Sequence, residues 1–194
     1  MEAEFLTDRG QVREHNEDSG GIYYNPSGQL LAVIADGMGG HQAGDVASQM
    51  AISTIQAEWE KSKELKLPEQ TEVWLIKALE KVNKVIYEDS LQKEEFAGMG
   101  TTIVATINTD EFITVAHIGD SRCYIKNESG FNQITEDHSL VNELVRSGQI
   151  SKEDAVQHPR KNIVLKALGT EEKVIADVQS LSWEHHDKLV LCSD

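Results

Sequence analysis

The hydrophobic period of this chain changes twice along its length, and that change limits the folds open to it more than any other feature. In the middle, Val46, Met50, Ile55 and Trp59 recur at helical spacing, and after Pro68 so do Val73, Ile76, Leu79, Val82 and Ile86. Each set draws one apolar stripe along a helix, and a proline suits the first helical position. On both sides the apolar residues come instead in short runs closed by Gly, Asn, Pro or Asp. AEFLT, GGIYY (20–24) and LLAVIA (30–35) precede the helices; TTIVATIN, FITVAHI and RCYIK follow them; VIADVQSL and DKLVLC close the chain. These runs read as strands, and the three consecutive runs after the helices predict a β-meander. Between Glu136 and Gly169 the pattern is irregular and helical, with Leu140, Leu144 and Val145 on one face and a break at His158–Pro159. Strands, a helix pair and strands again predict an α+β fold with each helix packing one face on a sheet, not a regular alternation of strand and helix. No repeat, low-complexity stretch or linker divides the sequence, so one domain over residues 1–194 is expected.

Charge removes several functions. Lys and Arg number 18 against 33 Asp and Glu, a net charge of −15. A nucleic-acid binder gains affinity by neutralising phosphates with cations, so nucleic acid is not an expected partner. The N-terminus lacks a basic region followed by an apolar one, and no apolar run approaches the ~18 residues of a membrane span. The expectation is a cytoplasmic protein without membrane insertion. Cys123 and Cys192 lie inside strand-like runs, and two cysteines make no disulfide framework in a chain this long, so both are expected as buried, reduced thiols.

Chemistry is concentrated at strand ends. LAVIADG closes on Asp36, TVAHIGDS on Asp120 and LVLCSD on Asp194. A single aspartate simply stops a strand. Three of them converge if neighbouring strands finish on the same edge, and converging carboxylates are costly without a compensating cation. Hard divalent ions such as Mg²⁺ or Mn²⁺ prefer such oxygen ligands. Gly37 follows Asp36 where the backbone must turn or approach something closely, and could add a carbonyl oxygen. A further cluster runs from Arg13 to Asp18. On its own it reads equally as a solvated turn; beside a metal, Glu17 or Asp18 could hold an ion or its waters, and Arg13 could grip two phosphate oxygens with its planar fork. Other chemistries fail on pattern. GMGG (37–40) and GMGTT (98–102) match no phosphate-cradling or dinucleotide loop, Ser121 in GDSRC is no nucleophile elbow, and His185–His186 reads as exposed polar surface.

Six motifs then follow in order: R-x-x-N-E-D (13–18), V-x-A-D-G-M-G-G-H (33–41), G-M-G-T-T (98–102), H-I-G-D-S-R-x-Y (117–124), T-x-D-H-S-L-V-N-E-L (135–144) and H-P-x-x-N (158–162). Together they resemble the bacterial metal-dependent Ser/Thr protein phosphatases of the PPM, or protein phosphatase 2C, family, and the likeness runs from about Glu2 to the end. The resemblance implies a β-sandwich flanked by helices in αββα layers, and a hydrolase using Mn²⁺ or Mg²⁺, with two central ions and a third, looser one. It implies that Asp36 bridges the central ions and Gly37 lends its carbonyl to one. Glu17 and Asp18 then hold the second ion directly or through water, and Asp120 with Asp194 the third. Arg13 becomes the phosphate-binding arginine. Residues 140–168 become a flap beside the site, which brings His158 near substrate. Animal members carry a histidine just after the Asp-Gly pair as general acid; Met38 stands there in this chain, and His41 is the nearby candidate. Phosphorylated proteins are the implied partners, among them a membrane-anchored Ser/Thr kinase whose action the enzyme opposes.

Family members continue the final Ser-Asp as S-D-G-L-T and add a later D-N-I-T strand with the last metal-binding aspartate. A chain truncated at Asp194, lacking its last strands, with one central metal site weakened, is therefore the expectation. The alternative function is a weakened or inactive fragment that binds phosphoproteins without hydrolysing them. A metal-dependent phosphodiesterase or nuclease fits the charge poorly.

Overall fold

The structure, a computed structural model, describes residues 2–11, 15–40 and 43–193. The GGIYY and LLAVIA runs form β1 (Asp18–Tyr24) and β2 (Leu30–Met38), an antiparallel pair. The two helical stripes form α1 (Ala43–Trp59) and α2 (Pro68–Gln92), the second starting on its proline as expected. Next come the short β3 (Gly100–Thr101), β4 (Ile103–Asn108), β5 (Phe112–Ile118), β6 (Arg122–Asn127) and β7 (Gly130–Gln133). After α3 (Leu140–Arg146) and α4 (Lys152–Gln157) the chain returns to strand in β8 (Asp177–Ser182) and β9 (Lys188–Cys192).

Two antiparallel sheets result. The larger runs β1-β2-β4-β5-β8, with β3 pairing on the end of β2, and the smaller runs β7-β6-β9. β4 and β5 are buried at every position, as strands covered on both faces must be. On one face α1 and α2 cover them: Ile55, Trp59, Leu75, Leu79, Val82 and Ile86 pack with Leu31, Ile103, Ile107 and Ile118 in the main core. On the other face Val104 and Val115 meet Cys123, Leu189 and Leu191 of the smaller sheet. Both cysteines are free thiols, Cys123 buried and Cys192 half-buried. Burial, with Cys192 alongside, pushes the Cys123 thiol up to about 12, which leaves it protonated and unreactive. Among the described residues, no helix is long and apolar enough to cross a membrane.

The α+β sandwich stands, with two local corrections. AEFLT is not a strand: residues 2–9 have no regular structure and are exposed. The Phe5 ring lies over Gly20, where an added Cβ would sit 2.7 Å from it, so this segment docks through a side chain instead of a strand ladder. The meander also breaks after β5. β4 and β5 form a hairpin, but Gly119 turns with φ +104, and β6 leaves for the smaller sheet. That angle is open to glycine and strained for other residues. β7 carries no apolar alternation and is exposed throughout, so no periodic signal marks it.

Candidate active site

The register of β1 on β2 sets Asp18 directly opposite Asp36. Residues in direct register project to the same face with Cβ atoms about 4.5–5.5 Å apart, and two like charges so placed repel. Glu17, one residue before β1, joins them through the backbone, its carbonyl accepting the Gly37 N–H at 3.0 Å. Its carboxylate lies against the first turn of α1: a Cβ on Gly44 would stand 2.7 Å from Glu17 Oε1. A carboxylate there faces the positive end of the helix dipole. Gly37 has no room for a side chain either, since a Cβ would run into the Gly44 carbonyl and lie 2.8 Å from that of Glu17. The glycine after Asp36 thus serves close approach of β2 to α1.

Asp36 is held by its backbone. Thr101 Oγ1 and the Thr102 N–H both donate to the Asp36 carbonyl at 2.9 Å. Asp36 N–H donates back to Thr102 Oγ1 at 3.2 Å. The same Thr102 hydroxyl lies 2.7 Å from Ser121 Oγ, which ties this strand end to the turn carrying Asp120. Asp120 is only 7% exposed. From the smaller sheet, Ser193 Oγ donates to Asp18 Oδ2 at 2.9 Å, so the end of β9 reaches the same edge. Of the three strand-end acids expected to converge, Asp36 and the turn carrying Asp120 are tied through Thr102, and the separate Glu17–Asp18 pair lies beside Asp36. Arg13, His41 and Asp194 lie outside the described residues. His158 caps the C-terminus of α4, its Nδ1 accepting the Arg160 N–H at 3.2 Å. His185 and His186 are exposed, as read.

The donor set suits a hard divalent cation: carboxylate and carbonyl oxygens on one edge, with two acids in direct register whose repulsion a cation relieves. Sequence reasoning missed the clamp. GMGTT enters the sequence reading as a failed nucleotide loop and as one motif of the resemblance, with no role assigned, yet Thr101 and Thr102 grip Asp36, and Gly100 is close-packed, its Cβ position 2.9 Å from the Leu168 carbonyl. Gly44 and Ser193 were missed as well. Two polar residues following a glycine at a strand start were the available signal, and nothing in sequence alone pairs them with Asp36.

The protein phosphatase 2C family profile matches residues 8–194. The chain belongs to the protein phosphatase 2C family. A serine/threonine phosphatase of Listeria monocytogenes is 50% identical over all 194 residues, which span 77% of that protein. The crystal structure of Staphylococcus aureus Stp1 superposes on the phosphatase fold with a TM-score of 0.88 at 41% identity, covering 92% of this chain and 70% of that one. The catalytic domain of the phosphatase PstP, solved in complex with two manganese ions, gives 0.79 at 33% identity over 96% of this chain and 74% of its own. This phosphatase is therefore an enzyme of the Ser/Thr protein phosphatase class with the sandwich fold of its relatives, and family membership implies dependence on a divalent metal. The reading as a binding module without catalysis is not favoured.

Proposed function

We propose that residues 1–194 act as one phosphatase domain that releases phosphate from phosphoserine and phosphothreonine on proteins by attack of a metal-activated water. The observation that carries this is the direct pairing of Asp18 with Asp36 at an edge to which Glu17, the Asp120 turn and Ser193 are also fastened. When bound, two divalent ions, Mn²⁺ or Mg²⁺, supply an activated water and neutralise phosphoryl charge. The chain's part is to hold and orient. Asp36, the Gly37 carbonyl, Glu17 and Asp18 would hold the two central ions, directly or through water. Asp120 and Asp194 serve a third, looser ion. Arg13 pairs with phosphoryl oxygens through its fork. His41 donates the proton that the departing serine or threonine oxygen requires. Residues 140–168 form the flap that meets the phosphoprotein, with His158 on the substrate side. The substrates include a membrane-anchored Ser/Thr kinase, and the enzyme works in the cytoplasm.

The test is release of phosphate from a phosphothreonine peptide with Mn²⁺ and with EDTA. Hydrolysis with Mn²⁺ that EDTA abolishes is expected. Phosphate release that EDTA leaves intact would sink the metal mechanism, and no release under either condition would leave binding without hydrolysis.

A further inference from the structure

His117, His138 and Asp177 form a cluster beside the Gly119 turn, with candidate ligand atoms within 4.8 Å of one another. Its hydrogen bonds argue against a metal. The Gly119 N–H donates to His138 Nδ1 at 3.1 Å. A backbone N–H can only donate, so Nδ1 carries the lone pair and the neutral ring keeps its proton on Nε2, the atom a metal would need. That Nε2 faces Asp177 Oδ2 at 3.4 Å; Lys166 Nζ lies 3.5 Å from both Nε2 and Asp177 Oδ1, a distance at which it bonds the carboxylate while Nε2–H points to Oδ2. Burial, then His117 and Lys166, holds His138 below the usual imidazole value, in keeping with a neutral ring. The ring is stacked on His117 with centroids 4.7 Å apart, and His117 Nε2 bonds the Glu136 carbonyl at 2.8 Å.

The backbone around His138 is equally constrained. The Arg122 guanidinium grips Asp137, with Nη2 at 2.6 Å from Oδ2. His138 N–H donates to the Gly119 carbonyl at 2.9 Å and its own carbonyl accepts Leu165 N–H at 2.7 Å. One residue, His138, therefore bonds both sides of Gly119, through ring and through backbone. Gly119 is the φ +104 turn, and a Cβ there would lie 2.6 Å from the Thr102 side chain. Beyond it come Asp120 and then Ser121, which shares the Thr102 hydroxyl with Asp36.

We infer that His138, oriented by Asp177, is a positioning residue that fixes the Gly119 peptide and through it the placement of Asp120 at the metal edge. The last step rests on the reading of Asp120 as a metal ligand. The ring acts through the acceptor at Nδ1, and Asp177 matters because an ionised carboxylate keeps the proton on Nε2. Outer partners of this kind commonly change metal affinity by about 10–100-fold when removed.

The experiment uses the whole 194-residue chain. On metal-free protein, nitrogen NMR of the imidazoles should show His138 as the Nε2–H tautomer, and the Gly119 amide should exchange slowly. Asp177→Asn presents an N–H to Nε2 and should shift the tautomer and speed Gly119 exchange by about tenfold or more. Asp177 is about half exposed, so this variant should fold. His138→Asn keeps an acceptor near Nδ1 and should retain slow exchange, whereas His138→Gln moves the acceptor to the Nε2 end and should lose it. The Mn²⁺ concentration for half-maximal activity should rise about tenfold in His138→Gln and stay near wild type in His138→Asn. An Nδ1–H tautomer in the wild type, or Gly119 exchange unaffected by Asp177→Asn and His138→Gln, would overturn the proposal. An Asp120→Asn control separates the two readings: if it leaves Mn²⁺ dependence unchanged, the Asp120 assignment fails, while tautomer and exchange still decide the His138 contact.

Discussion

The edge where β2 ends and the segment from Ser139 to Leu165 are held by opposite means. At the edge, glycines with no room for a Cβ let β2, β1 and α1 touch, and Asp36 is fastened through both its N–H and its carbonyl. In the segment, neither α3 nor α4 has a buried residue. Its stem is pinned by Leu140 N–H to the Ile163 carbonyl at 2.9 Å and by the Ser139–Val164 bridge. Few buried contacts mean a low free energy of local opening. The contrast teaches a division of labour: the proposed ligands, which must hold a geometry, sit on packed strand ends, and the proposed flap has little to lose by moving.

Breaking the edge should have the largest effect. Asp36→Asn removes the charge shared by the proposed central ions and should lower Mn²⁺-dependent phosphate release by about 10³-fold or more, measured at saturating Mn²⁺. Turnover within a few-fold of wild type would remove Asp36 from the metal site. The packing of the main core comes next. Trp59→Ala empties a fully buried site whose ring meets Trp74 edge-on at 4.8 Å and should destabilise the fold by about 3–5 kcal/mol in urea unfolding. Gly44→Ala presses on the Glu17 carboxylate and should cost about 1–3 kcal/mol and weaken Mn²⁺ binding. In the segment, Val156→Ala should change stability by less than about 0.5 kcal/mol, because Val156 is 68% exposed. A loss as large as that of Gly44→Ala would erase the contrast.

The smallest expected effect is a pH dependence at the base of the segment. His138 has a depressed value in the fold, so the unfolded chain binds the proton more readily. Its contribution is present above the unfolded value of about 6.5 and is lost as pH falls through the folded value. Thermal midpoints should therefore decline between about pH 7 and pH 5, and less steeply in His138→Asn. Identical slopes would remove His138 from that dependence.

Which of these regions could be read from sequence follows from the kind of force that shapes each. α1, α2 and the core strands were legible because their apolar residues repeat with one period and are buried on that basis. Asp36 stood out because acids at strand ends are costly without a shared purpose, whereas Glu17 and Asp18, which alone read equally as a solvated turn, drew a role from the family resemblance. The Thr101–Thr102 clamp was not, since it depends on a register that sets residue 36 beside residue 102. Nor was the exit of β6 from the larger sheet, which hangs on one backbone angle at Gly119. AEFLT misled because three apolar residues in five suggest a strand, and only the fold shows Phe5 lying over Gly20.

Calorimetric titration of Mn²⁺ into the wild-type chain and into Asp36→Asn, with folding of both checked by circular dichroism, reaches the central claim most directly. Binding to the wild type and its loss from a folded Asp36→Asn is the expected result. Equal affinity in the two proteins would contradict a metal centre built on the Asp18–Asp36 pair.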